Sequence, residues 1–128
     1  MSQAGLLAIL PAWETTLFRQ GSVMSNQVPS SDFTDSLLEY RRELDALDAR
    51  FVSLLAARFS VTARIGALKA SHGAAAADPE REQAQLERLM LLSTELQLPA
   101  EVTRAVYETL FRFVRANHLA QARAMRSP

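Results

Sequence analysis

Charged side chains at helical spacings are the most informative residues in this 128-residue chain. Arg58 falls in a heptad column otherwise filled by Leu37, Leu44, Phe51 and Ile65. A guanidinium there must be paired, reach outward along its stem, or face a cavity that holds an anion. Lys69, the sole lysine, follows eleven residues later, three turns on, and projects from nearly the same face. Arg41 precedes Lys69 by 28 residues in the lysine's own heptad column. At helical rise that is roughly 42 Å, so the two cations share a site only if Arg41 comes from a second, antiparallel chain. Asp78, Arg81 and Glu82 gather at a later helix start, where free backbone N–H groups favour negative charge. Taken singly, each of these residues reads as an ion pair, a cap or solvated surface charge. Taken together they read as an anion-binding set.

The rest of the composition excludes other chemistries. There is no cysteine, hence no disulfide frame, thiol nucleophile or Cys-ligated metal or iron–sulfur site. His72 and His118 are too few for a His-rich metal cage, and no metal or other cofactor is expected. Lys+Arg and Asp+Glu both number 14, which argues against an electrostatically driven nucleic-acid or acidic-membrane binder. Thirteen of the 14 basic residues are arginine, the better fork for carboxylates and phosphates. No unbroken apolar run approaches the roughly 18 residues of a membrane span. The stretch from Gly5 to Trp13 resembles the apolar part of a signal peptide, but it lacks a basic flank and Pro11 interrupts it. A cytoplasmic location is the expectation.

The elements that must position these charges are helices. Residues 1–31, rich in Ser, Pro and Gly, read as a disordered extension, with Met24 as an alternative start. Residues 32–128 read as one helical domain. Gly73, Pro79 and Pro99 divide it into helices over about 35–71, 79–96 and 100–124. Thr34 or Asp35 would cap the first, and Asp78-Pro79-Glu80 opens the second with a cap, a first-turn proline and an acid. No segment alternates with the period of a strand. Leu37, Leu44, Leu47, Phe51, Leu54, Val61, Ile65 and Leu68 keep three-to-four spacing along the first helix. That helix, roughly 50 Å long, overhangs a domain whose radius of gyration would be roughly 14 Å. Its apolar stripe calls for a second copy. The expected fold class is therefore all-α: a three-helix protomer with one very long first helix, in an intertwined homodimer. A plain coiled coil is the simpler alternative.

The order and spacing of these residues carry a resemblance. Leu37, Arg41, Leu44-Asp45 and Leu47-Asp48 lead to Leu54-Leu55 and Arg58, then Ile65-Gly66 and Lys69, then Asp78 and Arg81-Glu82. This series resembles the all-helical (type II) class of chorismate mutases. It is continuous through the first two helices and weaker in the third. The resemblance implies an intramolecular Claisen rearrangement of chorismate to prephenate, which needs no nucleophile, metal, cofactor or proton transfer. An enzyme must hold the flexible dicarboxylate folded and oppose the negative charge that develops on the ether oxygen.

Roles follow from the resemblance residue by residue. Arg58 and Arg81, with Arg41 of the partner subunit, would clamp the carboxylates. Lys69 would reach the ether oxygen and a nearby carboxylate. Glu82 would accept from the ring hydroxyl, with Asp78 supporting that contact through its backbone. Asp48 would be structural, and His72 has no catalytic role. The family's third helix often carries Ser-x-x-x-Gln, where gapless continuation places Val114 and His118. Val114 offers no side-chain hydrogen bond; His118 can donate to the ether oxygen. A register slipped by three would offer Asn117 and Gln121 instead. Cationic donation by His118 implies activity that rises toward acid pH. The implied partners are a small dicarboxylate and a second copy of the chain, with neither nucleic acid nor membrane.

Three other readings compete. An isochorismate pyruvate lyase shares the fold and a cationic pocket, but Glu82 and the twelve-residue spacing from Lys69 to Arg81 weigh against it. A mutase for the 4-amino analogue is not separated by these residues. A noncatalytic dimeric helical module would leave Arg58, Lys69, Arg81 and Glu82 together by coincidence. No separate effector domain is visible, so feedback inhibition is not expected.

Overall fold

The computed structural model describes Val28 and residues 30–127. The expected N-terminal extension, the alternative start at Met24 and the stretch from Gly5 to Trp13 lie outside the described residues. Those that are described form three helices and no strand: α1 (Ser31–Ser71), α2 (Pro79–Glu95) and α3 (Ala100–Arg126). The all-α expectation holds.

Helix ends follow local chemistry. α1 begins earlier than the expected residue 35, because the Ser30 side chain accepts from the Phe33 N–H at 3.2 Å and caps the helix in place of Thr34 or Asp35. Gly73 ends it with φ of 63°, a left-handed conformation that glycine adopts freely. The Gly73 N–H then donates to Ala70 and the Ala74 N–H to the Lys69 carbonyl, a Schellman closure. α2 starts as expected, with the Asp78 carboxylate accepting from the Arg81 N–H at 3.1 Å and Pro79 in the first turn. Its end uses the same Schellman pattern with Gln97, at φ of 59°, in the position glycine would favour. The α2–α3 corner is pinned by buried Ser93, which donates to the Leu98 carbonyl at 2.9 Å and meets the Thr103 hydroxyl at 2.6 Å.

α3 is the hub: α1 and α2 each pack on it. The buried and half-buried residues of α1 include the large apolar Leu55 and Phe59, followed by the small or polar Thr62, Ala63, Gly66 and Ala70. Gly66 is buried, and a Cβ there would lie 2.6 Å from the His118 ring and collide with the Gln121 side chain. The missing side chain lets the two helices approach closely, and α3 uses that approach to bond α1's backbone. His118 Nε2 donates to the Thr62 carbonyl at 2.8 Å, and Gln121 Nε2 donates to the Ala63 carbonyl at 3.0 Å.

The interior formed by the described residues is thin. Leu86 and Phe111 are the buried apolar side chains among the described residues. Leu44, Leu47, Phe51, Leu54, Val61, Ile65 and Leu68 of the α1 stripe are all exposed. At 41 residues α1 runs roughly 60 Å, well beyond the packed end. The expectation about membrane spans needs correction. By length and composition, an 18-residue stretch of α1 is apolar enough to cross a membrane. The earlier expectation counted unbroken runs, whereas here alanines and serines separate the larger residues.

Candidate active site

A cleft of about 150 Å³ opens where the C-terminal third of α1, the start of α2 and the middle of α3 converge. Arg58, Lys69, Asp78, Arg81, Glu82 and His118 all line it. Six of the seven residues assigned from the sequence are thus brought together by one chain. The seventh, Arg41, is not among them: it is exposed on the projecting part of α1, 28 residues before Lys69. α1 is a continuous helix, and a rigid rod cannot fold Arg41 back onto its own cleft.

Each position has a local cause. Arg58 and Lys69 stand three turns apart on one face of α1 and bracket Thr62 and Ile65, which also line the cleft. The Schellman turn and the short run to Asp78 bring the start of α2 to the rim of the cleft that this face lines. Because Asp78 caps α2, its carboxylate is engaged with the Arg81 backbone, while the Arg81 and Glu82 side chains leave the first turn. α3 supplies Phe111, Val114, Arg115 and His118, which share a face at three-to-four spacing.

Arg58 is the most telling side chain. Its guanidinium lies 5.4 Å from the centroid of the Tyr107 ring and 6.0 Å from that of Phe111. These ring faces favour a cation and hold it in place. Its Nη1 is nevertheless buried with no hydrogen-bond partner among the described residues. A buried guanidinium nitrogen without an acceptor carries a desolvation cost that a ligand oxygen would offset. Of the three possibilities open for Arg58, an internal ion pair, outward reach along its stem and an anion cavity, the buried and unpartnered Nη1 matches the cavity.

The cleft's charge is lopsided despite the neutral chain. Arg58, Lys69, Arg81 and Arg115 oppose Asp78 and Glu82, an excess of two positive charges along its walls. Two of these groups are tied to each other: Arg115 Nη1 meets Glu82 Oε2 at 2.6 Å. Arg115 and Gln85 were not singled out from the sequence. Arg115 was findable, since it sits four residues after Phe111 and three before His118 on the same α3 face.

Of the two α3 registers, the gapless one brings its residues to the cleft: Val114 and His118 line it. Gln121 is engaged with the Ala63 carbonyl instead, and its Oε1 is buried without a partner. His118 is buried, and its Nε2–H donates to the Thr62 carbonyl. Any donation into the cleft from this ring therefore falls to Nδ1 and requires the doubly protonated imidazolium. His72 lies outside the cleft, with Nδ1 near the Leu68 carbonyl at 3.0 Å, as suits a histidine at a helix C-terminus.

Two comparisons with known proteins bear on this geometry. Residues 40–119 match the family described as chorismate mutase type II. The chain is also 30% identical over 86 residues, 67% of its length, to the T-protein of Haemophilus influenzae. It spans 22% of the length of that relative.

Proposed function

Because the chain belongs to the chorismate mutase type II family, we propose that it rearranges chorismate to prephenate in the cleft between α1, α2 and α3. The observation that carries this reading is the buried, unpartnered Nη1 of Arg58 in a cleft with an excess of two positive charges. A dicarboxylate matches that excess in charge and satisfies the orphaned nitrogen. Arg58 and Arg81 clamp the carboxylates, whose bidentate pairing with guanidinium fixes orientation as well as charge. Lys69 stands where a cation opposes negative charge growing on the ether oxygen as the C–O bond lengthens. Such a contact strengthens in the transition state and so accelerates the step. Glu82 accepts from the ring hydroxyl, and His118 closes the α3 side.

The working unit in this reading is a homodimer. The uncovered apolar stripe of α1 supports it, since two copies packed antiparallel would bury that stripe against itself. The same arrangement delivers the partner subunit's Arg41 to the cleft as a third arginine. The site is then shared between two chains.

The test is turnover by purified protein given chorismate and, separately, isochorismate. Formation of prephenate from chorismate is the expected result. Salicylate plus pyruvate from isochorismate, without prephenate from chorismate, would reassign the cleft to a lyase. No turnover of either would leave a helical module.

A further inference from the structure

We infer that Arg115 is a positioning residue that acts through Glu82, holding its carboxylate ready for the ring hydroxyl. This rests on the reading of the cleft as a chorismate site. Glu82 is the only acidic side chain lining the cleft that is not committed to a helix cap, since Asp78 is bonded to the Arg81 N–H. A glutamate on the first turn of a helix has three freely rotating bonds and a charge that repels a dicarboxylate. Both liabilities are met by one contact. Arg115 Nη1 grips Oε2 at 2.6 Å, and Oε1 has no partner among the described residues, leaving it to accept from a ligand. The guanidinium also offsets the carboxylate charge, so the cleft keeps its positive excess while presenting an acceptor.

The direction of approach supports this role. Glu82, Arg115 and Phe111 also line a second depression, of about 300 Å³, whose other walls are Pro79, Gln83, Leu86 and Glu108. The three shared residues therefore form the partition between the cleft and that depression. The Arg115 side chain is 46% exposed and that of Glu82 is 25% exposed. An ion pair so exposed adds little to folding stability, so a fold-stabilising role does not explain the contact.

The test is a double-mutant cycle on the full chain, read as prephenate formation with thermal unfolding alongside. Arg115→Ala is expected to lower kcat by on the order of tenfold to a hundredfold, the range for a misplaced reacting geometry, with a smaller change in KM and an unchanged melting temperature. Arg115→Lys keeps a cation in reach and is expected to recover part of the loss. In a Glu82→Gln background the Arg115→Ala change is expected to cost no more than about threefold, because residues acting as a unit are not additive. An equal loss in both backgrounds, or a loss confined to KM, would mean that Arg115 binds the ligand itself and would overturn the proposal. Unchanged kcat in Arg115→Ala, with the wild type active, would overturn it while leaving the reaction assignment intact. An inactive wild type would remove both.

Discussion

Two faces of α1 carry the same helical period and meet opposite fates. One face carries Leu55 and Phe59 and then the small or polar Thr62, Ala63, Gly66 and Ala70, and α3 packs on it. The other, with Leu44, Leu47, Phe51, Leu54, Val61, Ile65 and Leu68, is large and apolar, and it is exposed among the described residues. Gly66 lets α3 come near enough for His118 and Gln121 to bond the α1 backbone, which places Arg58 and Lys69 against Phe111 and Glu82. The face that holds Gly66 thus builds the cleft, and the large apolar face stays exposed. Arg58 lies at the border of the two, in the column of the apolar stripe yet turned toward the rings of Tyr107 and Phe111.

The sharpest test of the cleft side is Lys69→Ala. It removes the only lysine without touching either packed face, and should cost about a hundredfold to a thousandfold in kcat, the usual loss for a donor at a developing oxyanion. Far-ultraviolet circular dichroism should stay unchanged. Activity near wild type would detach the cleft from the chemistry. Leu47→Asp attacks the open face at a position roughly 33 Å from Lys69 at helical rise, too far to touch the cleft of its own chain. If the stripe is an interface, a carboxylate there costs several kcal/mol, and sedimentation should report half the wild-type mass together with lost activity. Unaltered mass and turnover would show that the stripe stays uncovered in solution.

Gly66→Ala attacks the close approach itself. The added methyl must displace the His118 ring and Gln121, and a loss of about 1–3 kcal/mol is expected from denaturant unfolding, with activity falling as the cleft widens. A neutral result would mean that α3 does not need to lie so near. The smallest effect should come from Gln97→Gly, which touches neither face. Relieving its left-handed backbone at the end of α2 should stabilise the protein by about 0.5–1 kcal/mol and leave kcat alone.

Much of the site was readable along the chain because its residues sit on helices, where spacing translates directly into direction. Arg58 and Lys69 share a face through their separation of eleven, and Asp78, Arg81 and Glu82 cluster because Pro79 and the Asp78 cap leave little choice about where α2 starts. Contacts across helices were not readable in the same way. The Arg115–Glu82 pair joins residues 33 apart on different helices. The bonds of His118 and Gln121 to α1 carbonyls depend on how close two rods come, and sequence periodicity carries no measure of distance between axes.

By itself, then, the sequence determined the helices, most of their ends, the apolar stripe of α1 and the residues that form a cationic set. Those are consequences of backbone conformation and side-chain direction, which are local. Only the tertiary structure decided which face of α1 is covered within the chain, that His118 rather than Gln121 lines the cleft, and that Arg115 holds Glu82. These depend on the approach and rotation of one helix against another, which small residues such as Gly66 permit and packing then selects.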